Sequence, residues 1–358
     1  MRLHAIVRLL PCVALLGAAQ PPRNYDLQQV GDGVYALVRR DPEAFANNAN
    51  SLIVVGDRDV IVVDAQFTRA ATLETLAAIR GLTRKPVRYV VDTHWHDDHA
   101  AGNQVYRDTF PAVEFVAQAN TREDLATLGA ENRKGQLAAV KPYVARLRRL
   151  LAQGLGGDST PTTARERAAL ESTIAIAERY AAEAPGFRET LPTLTFRDRL
   201  TLERGAQTVE VRWFGRANTR GDAVVWLPRQ RVVATGDLVV SPAPFAFNAY
   251  VGEWIGALDS VRALGAAVIL PGHGPVMRDD AYVRRVRDML AAVRDQAVAA
   301  VARGATLDEA RRTIRLDQDR RALAGDEKWL RLLFDNFFLG PAVSRAYEEA
   351  AAAAKAPG

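Results

Sequence analysis

The stretch "THWHDDHAAGN", Thr93 to Asn103, holds three of the chain's five histidines within six residues, with two carboxylates between them. It follows a β-branched run that is typical of a buried strand. Residues two apart on an extended segment point the same way, so His94 and His96 can share one metal ion. Asp98 and His99 come where the chain should turn toward a helix, and they can face a second position nearby. Imidazole and carboxylate groups suit Zn²⁺, Fe or Mn, so the stretch predicts a metal site at the end of a strand.

Further ligands for a two-metal site have to come from elsewhere in the chain. His273 stands in "PGHGP", where the flanking glycines let the backbone turn tightly and present the imidazole. Asp237 ends another strand-like run in "ATGDLV", where its carboxylate can bridge two ions. A Gly-Asp pair after a strand is usually only a turn, so the assignment of Asp237 depends on the whole set of ligands.

Apolar patterns outside these motifs alternate between strand and helix. "TLETLAAIRGLTRKP" (72–86) has helical spacing and stops at a glycine and a proline. Runs with strand character are VYALVRR (34–40), SLIVVGDRDVIVVDA (51–65, two runs around a Gly-Asp turn), VEFVAQ (113–118), LTLERGAQTVEVRWF (200–214), DAVVWLP (222–228), RVVATGD (231–237) and AAVILPGHG (266–274). This alternation favours an α/β layered fold, in which ligands past the ends of strands mark an active-site edge.

Two helical segments extend this frame. Apolar residues recur at helical spacing between about residues 121 and 191, with "GLGGDSTP" as the break, which predicts an inserted helical hairpin. The chain is helical again after residue 281, where Thr306 and Glu309 form a capping box. The expected organisation is one domain over residues 20–280 that contains the hairpin, followed by a helical C-terminal extension over 281–358.

The N-terminus has the pattern of an export signal. A short basic segment and an apolar run end in Gly17, Ala18 and Ala19, which predicts cleavage before Gln20 and a secreted or periplasmic protein. The apolar run is too short to span a bilayer, so no stable membrane insertion is expected after cleavage. Removal of the signal also removes Cys12, the only cysteine, which excludes disulfides and thiolate metal ligands from the mature chain.

Composition is that of a globular protein, with 48% hydrophobic and 25% charged residues. The net charge is +5, but the basic residues are scattered and do not cluster with aromatics, so no nucleic-acid partner is expected. The expected partner is a small-molecule substrate. The sequence does not specify an oligomeric state.

Together these motifs resemble the metallo-β-lactamase superfamily. The resemblance covers residues from about 28 to 276 and implies an αββα sandwich with its metal site along one edge of the sheets. It implies that His94, His96 and a third histidine bind one ion, that Asp98, His99 and His273 bind another, and that Asp237 bridges the two. It also implies that Asp64, at the end of "VIVVDA", lies behind the metal ligands. The cofactor implied is zinc, as one or two ions, with Fe or Mn as other candidates.

One ligand departs from the family pattern. The third histidine typically stands in a Gly-x-x-His-Thr-x-Gly-Asp segment, and the matching segment here is "GRANTRGD", with Asn218 in the histidine's place. An amide oxygen can ligate a metal but is a weaker zinc donor than imidazole. We therefore expect the position at His94 and His96 to hold its ion less tightly than the other position.

The resemblance favours hydrolysis of a small-molecule amide or ester bond by a metal-bound hydroxide, with a β-lactam or lactone-like substrate and with Asp98 in a catalytic role. The alternatives are an exported metal-binding protein without hydrolytic activity and a thioesterase or glyoxalase-II-like hydrolase, which the export signal disfavours. Phe245, Phe247 and Tyr250 follow Asp237 and are candidates for an apolar substrate wall. Ordinary anchoring of the loop in the core explains these three aromatics equally well. Aromatics near the C-terminus, Phe337 among them, are expected to pack the terminal helices.

Overall fold

A computed structural model describes residues 24–41, 43–45 and 47–355. The predicted signal peptide (1–19) and Cys12 lie outside the described residues. Two β-sheets form the centre of the molecule. The first has seven strands, in the order β1 (Tyr25–Gly31), β2 (Val34–Arg39), β3 (Ser51–Val55), β4 (Val60–Val63), β5 (Val87–Val91), β6 (Glu114–Gln118) and β7 (Leu194–Phe196).

The second sheet has five strands, in the order β12 (Val268–Leu270), β11 (Val232–Ala234), β10 (Ala223–Leu227), β9 (Gln207–Trp213) and β8 (Arg199–Arg204). Most neighbouring strands in the two sheets are antiparallel. Parallel pairing is confined to β4 through β7 in the first sheet and to β11 with β12 in the second. Parallel strands end at the same edge of a sheet, so these pairs bring the segments that follow them together.

Side-chain alternation explains how each sheet is buried on both faces. In β10, Val225 and Leu227 face the other sheet, whereas Val224 and Trp226 face a layer of helices. In β4, Ile61 and Val63 contribute to the same core between the sheets. Val60 and Val62 point to the other side and pack against α1 (Arg69–Leu82) and α3 (Asn103–Thr109). The layers are therefore helix, sheet, sheet and helix, which confirms the αββα sandwich.

The remaining helices are α2 (Asp97–Ala100), α4 (Ala119–Asp124), α5 (Ala130–Ala152), α6 (Ala164–Glu183), α7 (Val251–Ala263), α8 (Ala281–Ala302), α9 (Leu307–Thr313), α10 (Asp317–Ala324), α11 (Lys328–Leu333) and α12 (Gly340–Lys355). Short π-helical turns occur at Leu125–Gly129 and Phe334–Leu339, and 3₁₀ turns at Ala184–Gly186 and Gly236–Leu238. The capping box predicted at the start of α9 is present. None of the helices in the described part of the chain is long and apolar enough to cross a membrane.

The inserted hairpin, α5 with α6, packs against the C-terminal extension rather than standing alone. Leu147 and Ile174 of the hairpin share one apolar cluster with Trp329 of α11. An ion pair adds to this contact, because Nζ of the partly exposed Lys328 lies 3.0 Å from Oε2 of the fully buried Glu166. Helices α5 and α6 thus form one unit with α11 and the turn at Phe334–Leu339, which are far away in sequence, and we call this unit the cap.

Candidate metal centre

The site lies where two parallel strand pairs end, β4 with β5 in the first sheet and β11 with β12 in the second. Asp64 follows β4, and the metal loop, Thr93–Asn103, follows β5. Asp237 follows β11, and His273 comes three residues after β12. Because the two sheets pack face to face, these four segments meet at one edge of the sandwich. All the histidines and carboxylates predicted as metal ligands therefore come together, although they are spread over about half of the sequence.

Asp98, His99 and His273 form one group of converging ligand atoms. Nε2 of His99 lies 3.3 Å from Nε2 of His273, and Oδ2 of Asp98 lies 3.0 Å from the latter and 3.5 Å from the former. Four ligands placed tetrahedrally at about 2.1 Å from a zinc ion are about 3.4 Å apart. The spacing of this group fits a metal ion held by all three side chains.

His94, His96 and Asp237 form the second group. Nε2 of His94 lies 2.9 Å from Nδ1 of His96 and 3.7 Å from Oδ2 of Asp237. The other oxygen of Asp237, Oδ1, lies 3.2 Å from His99 Nε2 in the first group. One carboxylate thus faces both groups, an arrangement that can serve two neighbouring ions.

Asp64 holds the metal loop in place. Its carboxylate accepts hydrogen bonds from the Thr93 backbone N–H at 2.9 Å and from Nδ1 of His99 at 2.8 Å. Thr93 Oγ1 also lies 3.1 Å from Nδ1 of His94. Partners on the far ring nitrogen fix an imidazole's orientation and tautomer and leave Nε2 for a metal. Asp64 itself has a positive φ of 64°, a conformation that costs energy in non-glycine residues and often occurs at functional sites.

His96 is oriented by a residue that the sequence did not single out. Its Nε2 lies 3.3 Å from Oδ1 of Asn248, which can accept only when this nitrogen carries the proton. Nδ1 of His96 is then the free acceptor, and it is this nitrogen that faces His94. The loop after Asp237 therefore contributes to the geometry of the second group.

Two glycines allow the strand ends to approach each other. A Cβ at Gly272 would collide with Oδ1 of Asp237 and would lie 2.9 Å from the carbonyl carbon of Gly236. Gly274 has a φ of +99°, which side chains rarely adopt. Both glycines beside His273 are thus required by close packing, since a Cβ at Gly274 would lie 2.9 Å from the Ser241 carbonyl oxygen, and Gly274 is required by its backbone conformation as well.

Asn218 lies in the turn between β9 and β10 and is fully buried. Neither its Oδ1 nor its Nδ2 has a hydrogen-bond partner among the described residues. Buried amide groups are nearly always satisfied, because an unpaired one costs about 1–3 kcal/mol. The Oδ1 of Asn218 is therefore chemically suited to ligate a metal ion, whereas its Nδ2 can only donate a hydrogen bond.

The two groups differ in charge. Burial, followed by the neighbouring imidazoles, holds the pKa of His94 well below its ordinary value, so this ring stays neutral as a metal ligand requires. Burial also opposes protonation of His99, but the surrounding carboxylates, Asp64 first, outweigh it and raise the pKa of His99. Burial would raise the pKa of Asp98, yet the imidazoles of His99 and His273 hold it well below its usual range. The pKa values of the histidines in the two groups are therefore shifted in opposite directions, upward for His99 and His273 beside the carboxylates and downward for His94 and His96.

A cavity of about 650 Å³ opens above both groups. Its floor includes His96, Asp98, Asp237 and His273. Its sides come from the loop after Asp237 and from the cap, with contributions from α5, α6 and the turn at Phe334–Leu339. The volume is typical of pockets for small organic ligands.

Phe245 and Phe247 line this cavity, but Tyr250 does not line it. Tyr250 stands at the start of α7, where its ring centre lies 4.3 Å from the guanidinium of Arg216 and 5.7 Å from that of Arg345. These cation–π contacts fit the alternative given for this residue, in which the ring anchors the loop. Phe337, which was expected only to pack the terminal helices, also lines the cavity.

Sequence reasoning missed the cavity residues from the cap, among them Val140, Tyr143 and Tyr180. Helical spacing predicted that such residues are buried, but it gives no sign of which site they face. It also missed Arg133, which donates to Asp97 from Nε at 3.1 Å and from Nη2 at 2.5 Å. This buried pair ties α5 to the metal loop next to Asp98.

Comparison with characterised proteins gives consistent results. The metallo-beta-lactamase superfamily matches residues 45–273, more than half of the chain. A linear primary-alkylsulfatase from a Pseudomonas species is 26% identical over 284 residues, which cover 76% of this chain and half of the alkylsulfatase. A type 2 metallo-beta-lactamase from Bacillus sp. strain 170 is 26% identical over 283 residues, which cover 77% of this chain and 95% of that enzyme.

Solved structures agree on the fold. A metallo-beta-lactamase from Pontibacter korlensis superimposes with a TM-score of 0.51 at 20% identity, covering 74% of this chain and 98% of that one. The DIM-1 metallo-beta-lactamase superimposes with a TM-score of 0.50 at 17% identity, covering 75% of this chain and 97% of that one. The family match, supported by the αββα sandwich and the converging ligand groups, shows that the chain belongs to the metallo-beta-lactamase superfamily of metal-binding hydrolases.

Proposed function

We propose that the protein is an exported, zinc-dependent hydrolase that opens an amide or ester bond of a small molecule, with a β-lactam or a lactone as the leading substrate classes. The observation that carries this proposal is the placement of two ligand groups, which share Asp237, on the floor of one cavity of about 650 Å³. A purely structural metal site is normally closed by its ligands, whereas this one is open to a space that fits a substrate.

The donor set decides which ions fit. Asp98, His99 and His273 would hold one ion, while His94, His96 and Asn218 would hold the other, with Asp237 between them. Imidazole nitrogen with carboxylate oxygen suits zinc, and the described chain offers no thiolate. When bound there, a divalent ion supplies Lewis acidity, which lowers the pKa of a water ligand and polarises the scissile carbonyl.

The chain's own groups supply orientation. The Asp98 side chain is 23% exposed, against 5% or less for the other ligands of its group, so it is the carboxylate most open to the cavity. Its low pKa keeps it ionised, so it can accept a hydrogen bond from the attacking water and orient it. Asp64 and Asn248 hold the imidazoles that surround it, and the cap limits access of bulk water.

The test combines metal analysis with a hydrolysis panel. Purified protein should contain zinc and should hydrolyse at least one of a β-lactam, a lactone, a thioester and an alkyl sulfate, the last because of the alkylsulfatase relative. His273→Ala should lose at least one equivalent of metal, and turnover should fall at least about 100-fold. Leu73→Ala, at an exposed position on α1, is the matched control and should keep both.

The outcomes separate the alternatives. Metal retained in wild type without hydrolysis of any substrate would support a metal-binding protein instead. Turnover of thioesters alone would support the thioesterase. Full metal content and turnover in His273→Ala would refute the site assignment.

A further inference from the structure

The charged residues that line the cavity indicate which kind of substrate the hydrolase accepts. Four acidic residues line the cavity, Glu43, Asp97, Asp98 and Asp237. Within the described part of the chain, no lysine or arginine lines it. The two undescribed positions next to lining residues in the sequence, Pro42 and Ala46, carry no charge. Away from the metal ligands, an anionic substrate group therefore finds no cationic side chain of this chain.

The two arginines that contact the acidic lining residues Asp97 and Glu43 are already used. Arg133 donates to Asp97 and, through Nη1 at 2.5 Å, to Glu189. Arg165 donates to Glu43 from Nε at 2.7 Å. Redirecting Arg133 toward a ligand would leave the buried Asp97 without its partner, which costs several kcal/mol, whereas the Arg165–Glu43 pair is more exposed and costs less to break. The side chains of the cavity thus offer no charge-assisted contact to an anion.

The uncharged polar members of the lining do not replace a cation. Asn132 and Gln136 lie on the exposed face of α5 and can donate hydrogen bonds. Hydrogen bonds from amides are weaker than those from ionised donors, and they do not offset the cost of removing a carboxylate or sulfate from water.

A connected set of rings leads away from the metal ligands. The His96 ring lies 5.5 Å from Phe245, which lies 4.8 Å from Phe247 and 6.0 Å from Phe337. Phe337 in turn stacks on Phe45 at 4.9 Å. We call these four phenylalanines the aromatic wall. Phe247 is 49% exposed, which is unusual for a large apolar side chain and is expected where a ligand covers it.

We propose that the substrate is an uncharged ester, lactone or amide whose alkyl or aryl group lies along the aromatic wall. This rests on the hydrolase function proposed above and narrows it. A substrate with an anionic group on the part that lies along the aromatic wall fits this lining less well than a neutral ester or lactone. A cationic tail is tolerated better there than an anionic one, because the carboxylates of Glu43 and Asp97 line the cavity whereas their arginine partners do not.

The first experiment uses p-nitrophenyl esters of matched length with the metal-loaded enzyme. The hexanoate is neutral, the monoester of adipic acid has a tail carboxylate, and the 6-aminohexanoate has a tail ammonium. We expect kcat/KM for the hexanoate to exceed that for the adipate monoester at least tenfold, with the aminohexanoate between them. Between acetate and hexanoate, each added methylene should raise kcat/KM of the wild-type enzyme by about fourfold. The gain per methylene should be smaller in Phe337→Ala. Leu73→Ala should keep the wild-type slope.

A second variant introduces the missing cation. Phe247→Lys changes a half-exposed residue, so the fold should tolerate it. It should raise kcat/KM for the adipate monoester relative to the hexanoate at least tenfold. An unchanged ratio in this variant, or a wild-type enzyme that prefers the carboxylate ester, would overturn the proposal while leaving the hydrolase function intact.

Binding without hydrolysis separates the two proposals. Calorimetry should show that 6-phenoxyhexan-1-ol and 6-phenoxyhexylamine bind at least tenfold more tightly than 6-phenoxyhexanoate. This pattern without turnover of any ester, lactone or amide would support the binding site and refute the hydrolase. Equal or tighter binding of the carboxylate, or no binding of the three, would refute the inference whatever the enzyme hydrolyses.

Discussion

Replacing Asn218 by leucine should change the stability of the metal-free protein and the affinity for metal in opposite directions. Asn218 is fully buried, and neither polar atom of its amide has a partner in the described structure. Each unpaired group costs about 1–3 kcal/mol, so removing both with a side chain of similar size should stabilise the metal-free protein by at least about 2 kcal/mol. Leucine cannot ligate, so the ion at His94 and His96 should bind at least tenfold more weakly.

Asn218→His gives the complementary result. An imidazole is the better zinc donor, so affinity at the same position should rise, while Asp98, His99 and His273 should bind their ion unchanged. Wild type should show two classes of site, with the weaker class lost first on dialysis. The rate is not part of this prediction, because a third imidazole also removes open coordination space.

The assays are urea unfolding of metal-stripped protein and calorimetric zinc titration of wild type and both variants. The competing interpretation is that the amide of Asn218 stabilises its own turn, as asparagines in turns often do. In that case leucine destabilises the metal-free protein and all three titrations are identical. That pair of results would refute the ligand role.

Three further predictions follow from features of the site and the sequence. Gly272→Ala should displace Asp237, lower metal content and destabilise the fold by about 1–3 kcal/mol, which metal analysis and thermal unfolding would detect; an unchanged metal content would contradict the packing argument. Burial raises the pKa of Asp222 to about 7 despite hydrogen bonds from Thr219, so its contribution to stability is present below about pH 4 and is lost as the pH rises toward 7. The loss amounts to at most about 4 kcal/mol, and Asp222→Asn should flatten the unfolding midpoint between pH 4 and 8. The protein should be found in the periplasmic fraction and begin near residue 20; its absence from that fraction would exclude export, and an intact first residue would exclude cleavage of the signal.

Local patterns were enough to predict much of the frame. Strands β2 to β6 and β8 to β12 match runs of β-branched residues, and α1 ends close to the predicted glycine and proline. The strands that were missed have weak patterns. In β1 only Tyr25 and Val30 are buried, so its sequence lacks the alternation of a half-buried strand, and β7 is only three residues long. Helix α7 was missed because its start lies in the aromatic loop after Asp237.

The metal ligands could be recognised from the sequence because few residue types bind metals. His273 was the easier to find because it stands alone between two glycines. The walls of the cavity could not be recognised in this way. Phe337 and Tyr143 are ordinary apolar residues on helices, and only tertiary packing decides that they face the site. The positive φ of Asp64 had no signal either, because aspartate adopts it only where surrounding contacts impose it.

The metal ligands belong to the sandwich and much of the cavity wall belongs to the cap, which has a consequence for how substrate selectivity can change. Ligands come from strand ends in the sandwich, whereas much of the cavity wall comes from the hairpin and the C-terminal helices. Selectivity can therefore be altered by exchanging or reshaping helices while the chemistry is left untouched. The exception is Arg133, whose pair with Asp97 joins the hairpin to the metal loop. A hairpin transplanted from another protein would have to bring a cation to that position, or the residue beside Asp98 would be left as a buried charge without a partner.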